Sequence, residues 1–140
     1  MDTDSNRQVI ERIFEGLARG DSSAFRDSLA DDVVWRVPGE GVWSGVYAGR
    51  ESLMKDLLRP VFAQFADTYL NTAENIIVEG DRAVVECRGS VTTKAGRPYN
   101  NNYCWVCRLR DGKLVEIVEY MDTALAADVL EPPPQRQARG

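Results

Sequence analysis

The sequence predicts an α+β fold in which an antiparallel sheet packs against about three N-terminal helices. Three observations carry this. Up to residue 65 the apolar side chains recur at helical spacing, interrupted by one β-branched run. From residue 68 the pattern changes to alternation, in four runs separated by short Gly-containing turns, as in an antiparallel meander. The length, 140 residues with 44% apolar and 28% charged side chains, suits one domain with a real core.

In order, Asp4 or Ser5 is placed to cap a helix reaching about Arg19, with Val9, Ile10, Ile13, Phe14 and Leu17 on one stripe. Gly20 supplies a stop. Asp21-Ser22-Ser23 opens a second helix through Leu29, with Phe25 and Leu29 inward. Asp31–Val37 alternates and is β-branched, a strand ended by Pro38-Gly39. Gly39–Gly49, rich in glycine and aromatic residues, reads as a loop laid over something. Arg50–Phe65 forms a third helix, which Pro60 should kink or restart. Strands follow at Thr68–Val78, Arg82–Thr93, Pro98–Arg110 and Lys113–Met121. Asp122-Thr123 then caps a short helix, Ala124–Leu130. Residues 1–130 are read as a single domain, and 131–140 as a Pro-rich tail expected to be disordered.

Composition narrows the function. A net charge of −5 without any long basic run argues against a nucleic-acid partner. The N-terminus has no apolar signal-type region, and no apolar run is long enough to span a membrane. Three cysteines, an odd number, fit a reducing compartment, so a cytoplasmic location is expected. The chain contains no histidine, so any proton transfer falls to carboxylates, Tyr, Lys or Cys. Cys104-Trp105-Val106-Cys107 has the C-x-x-C spacing, but on a strand its two thiols project to opposite faces, roughly 10 Å apart, and cannot share a metal or a disulfide. No metal and no cofactor are expected.

The stretch LVEIVEYMD, Leu114–Asp122, holds the leading candidate. Read as a strand, it places Val115, Ile117, Glu119 and Met121 on one face, so that one carboxylate stands among aliphatic side chains. Such a group costs several kcal/mol unless it is paired, hydrogen-bonded or protonated. Matching the apolar faces of neighbouring strands brings Asn101, Tyr103 and Trp105 to the same helix-covered side. Glu119 has two readings, a pocket acid of raised pKa or a structural partner of Arg36 or Arg50. Asp122 also has two, a second acid or simply a helix cap. Tyr103 and Asn101 are candidates to orient a ligand oxygen, and Trp105, Trp35, Trp43 and Tyr47 to line or cover a hydrophobic cavity. The opposite face, with Glu86, Arg88, Arg108, Arg110 and Glu116 among Val84, Val106, Val118 and Tyr120, is suited to a homodimer interface.

The strings GLARGD, LADDVVWRVPG, WSGVYAGRE and YNNNYCWVCRLRDGKLVEIVEYMDTALAADVL resemble the SnoaL-like, ketosteroid-isomerase-related branch of the nuclear transport factor 2-like superfamily, over about residues 5–130. The resemblance implies that the sheet is curved and cone-shaped and wraps around the N-terminal helices, a cystatin-like roll, with a pocket for a small hydrophobic carbonyl or hydroxyl compound. It implies acid–base chemistry of isomerase or cyclase type, or a non-catalytic binding and dimerisation module. In classical ketosteroid isomerases the base precedes the Pro that ends the first strand, where this chain has Val37. A first-helix Tyr matches Ile13 or Phe14 here, so that route is not expected. In epoxide hydrolases a final-strand Asp, matched by Glu119, pairs with an Arg and an Asp on the preceding strand, where this chain offers Asn101 and Tyr103. In the polyketide cyclases an acid near the end of the last strand shuttles the proton, a place that Glu119 or Asp122 matches.

Overall fold

The computed structural model describes residues 2–133. The first helix, α1 (Thr3–Ala18), buries Val9, Ile10, Ile13 and Phe14, the stripe read from the sequence. It begins earlier than expected, because Asp2 rather than Asp4 or Ser5 is its cap. Ser5 N donates to Asp2 Oδ1 at 2.8 Å, and that bond holds the Asp2 carboxyl below its usual range. Gly20, at φ +83°, ends the α1 turn in a left-handed conformation that suits glycine. The second helix, α2 (Ser23–Asp27), stops two residues short of the expected end, and Leu29 starts β1 (Leu29–Val37).

Two features of the next stretch were hidden. The Gly39–Gly49 segment contains a strand, β2 (Gly45–Ala48), paired antiparallel with Val34–Val37. It is a four-residue edge strand flanked by glycine, too short to show a period. The predicted third helix is a composite: α3 (Arg50–Ser52), a π-helical stretch at Leu53–Leu58, and α4 (Arg59–Phe62). Pro60 lacks an N–H, and in a regular helix its ring would press on the Asp56 carbonyl; the wider π turn just before it relieves both problems.

Four strands then form the expected meander: β3 (Leu70–Glu79), β4 (Arg82–Ser90), β5 (Asn102–Arg110) and β6 (Lys113–Met121). All six strands belong to one sheet in the order β2-β1-β6-β5-β4-β3. The sheet is not wholly antiparallel as expected, since β1 pairs parallel with β6. The helices between β1 and the meander form the long crossover such pairing needs.

Alternation sorts side chains as expected on β4 and β5: Ala83, Val85 and Cys87 face inward, opposite Tyr103, Trp105 and Cys107. Register breaks correct it in two places. One between Arg108 and Leu109 turns Leu114 into the core beside Val115, although simple alternation put Leu114 outside. Another around Glu74 switches the inward set of β3 from Asn71 and Ala73 to Ile76 and Val78. On the outer face, partners in register make a mostly apolar row across the sheet: Val46, Arg36, Val118, Val106, Val84 and Ile77. Val46 and Ile77, at its two ends, are 55% and 64% exposed.

The last helix, α5 (Thr123–Val129), is capped by Asp122, whose Oδ1 accepts from Leu125 N at 3.1 Å. The segment after it is docked at its start: Glu131 N donates to Gln64 Oε1, Gln64 Nε2 donates to Glu131 O, and Pro133 is fully buried. The tail expected to be disordered thus has its first residues seated, and from residue 134 it lies outside the described residues. No helix among the described residues is long and apolar enough to cross a membrane.

Candidate active site

Between the concave face of the sheet and the helices lies a cavity of about 480 Å³. Part of its wall is built from indoles. Trp35 on β1 and Trp105 on β5 meet edge to face with ring centroids 5.2 Å apart, and Phe14 and Phe25 pack on them from α1 and α2. Glu119 stands here, directly across from Trp105 in the β5–β6 register. Its carboxylate Oε2 accepts from Trp105 Nε1 at 2.9 Å. Glu119 is 9% exposed, and burial pushes its pKa up to about 7 from 4.5. The Trp105 bond acts in the opposite sense, and Trp35 adds a smaller lowering. The Trp35 indole N–H makes no hydrogen bond of regular geometry among the described residues, yet it lies close enough to the carboxylate to stabilise its charge.

Neither arginine named as a structural partner reaches Glu119. Arg36 pairs with Glu116 on the outer face at 3.6 Å, and Arg50 donates to the carbonyls of Arg26 and Leu29. A carboxyl held by indole donors in an apolar wall, with its pKa near neutrality, is poised to gain or lose a proton.

Next to Glu119 the wall is phenolic, close enough for its carboxylate charge to reach Tyr69, Tyr99 and Tyr103. Tyr69, Tyr99 and Tyr103 line it with Phe62 and Phe65, and the Tyr69 and Phe65 rings stack at 5.5 Å. The Tyr103 and Tyr69 hydroxyls are hydrogen-bonded, and burial drives both phenols far above their usual pKa, so each keeps its proton. Two buried amides steady the group. Asn71 Nδ2 donates to Tyr69 Oη at 3.5 Å, and Asn101 Nδ2 to Tyr99 Oη at 3.0 Å. Gly89 on β4 lets the rings close in, since a Cβ there would lie 2.9 Å from Tyr69 Oη and 3.2 Å from Tyr103 Cε2.

Of the residues named from the sequence, Glu119, Tyr103, Trp105, Trp35 and Trp43 line this cavity together. Three others stand apart from it. Asp122 is exposed and caps α5. Asn101 is fully buried with its amide spent: besides Tyr99, Nδ2 donates to Asp122 O, and Oδ1 accepts from Asp122 N. Tyr47 turns its hydroxyl to Trp43 O at 2.7 Å and sits behind the wall. Lining residues that sequence reasoning missed include Tyr69, Asn71, Tyr99 and Met121. Tyr99 and Met121 share the inward parity of Tyr103 and Glu119, which could have found them. Tyr69 and Asn71 needed the register of β3. Among the described residues, no group of three or more Cys, Asp or Glu side chains is placed to hold a metal ion, and the three cysteines are free.

A sequence profile of the SnoaL-like domain matches residues 10–117. A solved NTF2-like protein of unknown function from Burkholderia pseudomallei is 25% identical, with a TM-score of 0.76, over 90% of this chain and 97% of that one. A protein of Jannaschia sp. CCS1, provisionally named a SnoaL-like polyketide cyclase, is 17% identical at a TM-score of 0.72, over 93% and 95% of the two chains. One from Bacillus subtilis, provisionally named an isomerase, is 16% identical at a TM-score of 0.72, over 90% and 92%. At these identities the last two bear on the fold alone.

Proposed function

The chain belongs to the SnoaL-like domain family, and from that premise we propose that its cavity binds a small hydrophobic carbonyl or hydroxyl compound on which Glu119 acts as acid and base. The observation that carries this reading is Glu119 itself, a buried carboxyl without a cationic partner among the described residues, held by Trp105 and shifted to about 7. In the proposed step, ionised Glu119 removes a proton from the carbon beside the ligand's carbonyl. The C–H electron pair moves through that carbon to the oxygen, which accepts a hydrogen bond from one of the lining tyrosines, Tyr103 being the leading candidate. In a ligand with a double bond one carbon further along, Glu119, now protonated, returns the proton to the far carbon of that bond, which shifts into conjugation as the oxygen regains its double bond. The net change is an isomerisation; where the carbanion instead attacks a second carbonyl of the same molecule, a C–C bond forms, Glu119 gives its proton to the resulting alkoxide, and the net change is a ring closure.

Hydrogen–deuterium exchange beside the carbonyl of enolisable aryl ketones, followed by NMR in D2O, tests this step without knowledge of the natural product. Wild type should catalyse exchange and Glu119→Gln should not, with both proteins folded. Full exchange activity in the variant would overturn the assignment. A non-catalytic binding module is the second reading. It is favoured by the Trp105–Glu119 bond, which also serves to satisfy a buried carboxyl, and it is recognised by ligand-dependent thermal stabilisation with no exchange in either protein.

The proposal extends to a homodimer through the outer sheet face, supported by the row from Val46 to Ile77. Val106→Glu, at the centre of that row, should halve the mass seen by light scattering. A wild type that is monomeric at high concentration would remove the dimer.

A further inference from the structure

The cavity is lined with polar side chains of two kinds. Those deep in it are neutral or shared: the tyrosines keep their protons, and Glu119 is the sole carboxyl among the buried lining residues. The exposed lining residues form the mouth, and two of them are arginines on separate elements, Arg26 on α2 and Arg59 on α4. The Arg59 side chain makes no hydrogen bond or ion pair with another described residue; only its backbone is bonded, the carbonyl accepting from Ala63 N. The Arg26 side chain bonds only through Nε, to Ser22 O at 3.4 Å, and its charge is felt by Asp21; its terminal nitrogens carry no hydrogen bond among the described residues. The end of α2 is itself pinned, because Arg50 Nη1 donates to Arg26 O at 2.7 Å. One acid, Asp67, shares the rim, with Oδ1 accepting from Thr92 N at 2.8 Å.

We propose that the ligand is an amphipathic organic anion, its apolar body in the cavity and its anionic group at the mouth on Arg26 and Arg59. This rests on the reading of the cavity as a small-molecule site and narrows its ligand class. The charged group has one suitable place. Inside, it would sit in an apolar wall near Glu119, where two negative charges oppose each other. At the mouth two guanidinium groups are available and water still reaches the head. The chain's overall charge of −5 makes the inference discriminating, since without a local basic site an anion would be disfavoured relative to its neutral analogue.

A matched pair of fluorescent probes tests it: N-phenylnaphthylamine, which is neutral, and anilinonaphthalene sulfonate, the same body with an anionic group. Affinities are measured for wild type, Arg26→Gln, Arg59→Gln and the double variant. Both substitutions are at exposed positions, and the neutral probe reports whether the cavity survives. Each single change should weaken sulfonate binding about twofold to fivefold, and the double change about tenfold, with the neutral probe unchanged within about twofold. High salt should remove the same preference. Equal losses for both probes, or a sulfonate affinity insensitive to the double variant, would overturn the anion site while leaving the cavity reading in place. Failure of wild type to bind either probe would overturn both.

Discussion

Trp105 and Glu119 face each other across the β5–β6 register, joined by an Nε1–Oε2 hydrogen bond of 2.9 Å. The pairing couples an inward-facing donor of one strand to the one buried carboxylate of the next. It sets both where that carboxylate points and how readily it ionises.

The first consequence is a pH-dependent stability. Glu119 titrates at about 7 when folded and near 4.5 otherwise, so the folded state binds the extra proton between those values. Below pH 4.5 the group costs nothing. As pH rises through 7 it lowers stability by an amount on the order of 3 kcal/mol. Glu119→Gln, which keeps the shape, should therefore be more stable than wild type at pH 8 and equal to it at pH 4 in urea unfolding. A constant difference at both pH values would contradict the assignment of the shift to burial.

Trp105→Phe removes the donor and keeps much of the ring. Because the indole N–H favours the charged form, its loss should raise the Glu119 pKa further. If Glu119 is the base, the pH–rate profile for ketone exchange should move to higher pH by about one unit. The variant should also lose about 1–3 kcal/mol of stability, since a buried acceptor is left unpaired. An unmoved profile alongside that loss would confine Trp105 to a structural role.

Gly89→Ala should disturb the tyrosines of the cavity wall. The added methyl would lie 2.9 Å from Tyr69 Oη, inside the distance real contacts allow, so the two rings must shift. A cost of about 1–3 kcal/mol is expected from overpacking, measurable by thermal melting, together with weaker binding of the cavity probes. An unchanged melting temperature with unchanged probe binding would show that the two rings yield without cost.

The fourth prediction concerns α5, whose Ala126 and Leu130 are part of the cavity wall. Arg97 holds this helix from the β4–β5 turn, donating through Nη1 to Asp128 O at 2.8 Å and through Nη2 to Asp128 Oδ2 at 2.7 Å. Both residues are largely exposed, so Arg97→Ala should cost under about 1 kcal/mol in global stability. Its mark should be local: faster amide exchange across 123–130 with the strands unchanged. Uniform exchange rates in the variant would show that the pair does not hold the helix.

Much of this was legible in the sequence, for a physical reason. The meander and the Glu119 face are encoded by alternation, a local signal that β4 and β5 obey residue by residue. What escaped depended on contacts between distant segments or on register. The β1–β6 pairing is invisible to any local period, and β2 is four residues inside a glycine-rich stretch. Leu114 and Asn71 took their places through irregular pairing that no pattern announces. Asn101 shows the limit for sites: parity put it on the right face, but its amide is consumed by Tyr99 and by the Asp122 backbone. Tyr47 failed in the same way, its hydroxyl taken by Trp43 O.

The parallel pairing of β1 with β6 carries a temporal consequence. Trp35 and Ile117 are neighbours in the sheet but about 80 positions apart in the chain. Helices and hairpins can form early from local contacts, whereas this seam must wait for nearly the whole domain to emerge and then close a long loop. Glu119 is next to that seam, so its dry surroundings should be completed late in folding. Until then the carboxyl is hydrated and titrates as an ordinary glutamate. Stopped-flow refolding followed through proton uptake should find the proton bound in the final phase.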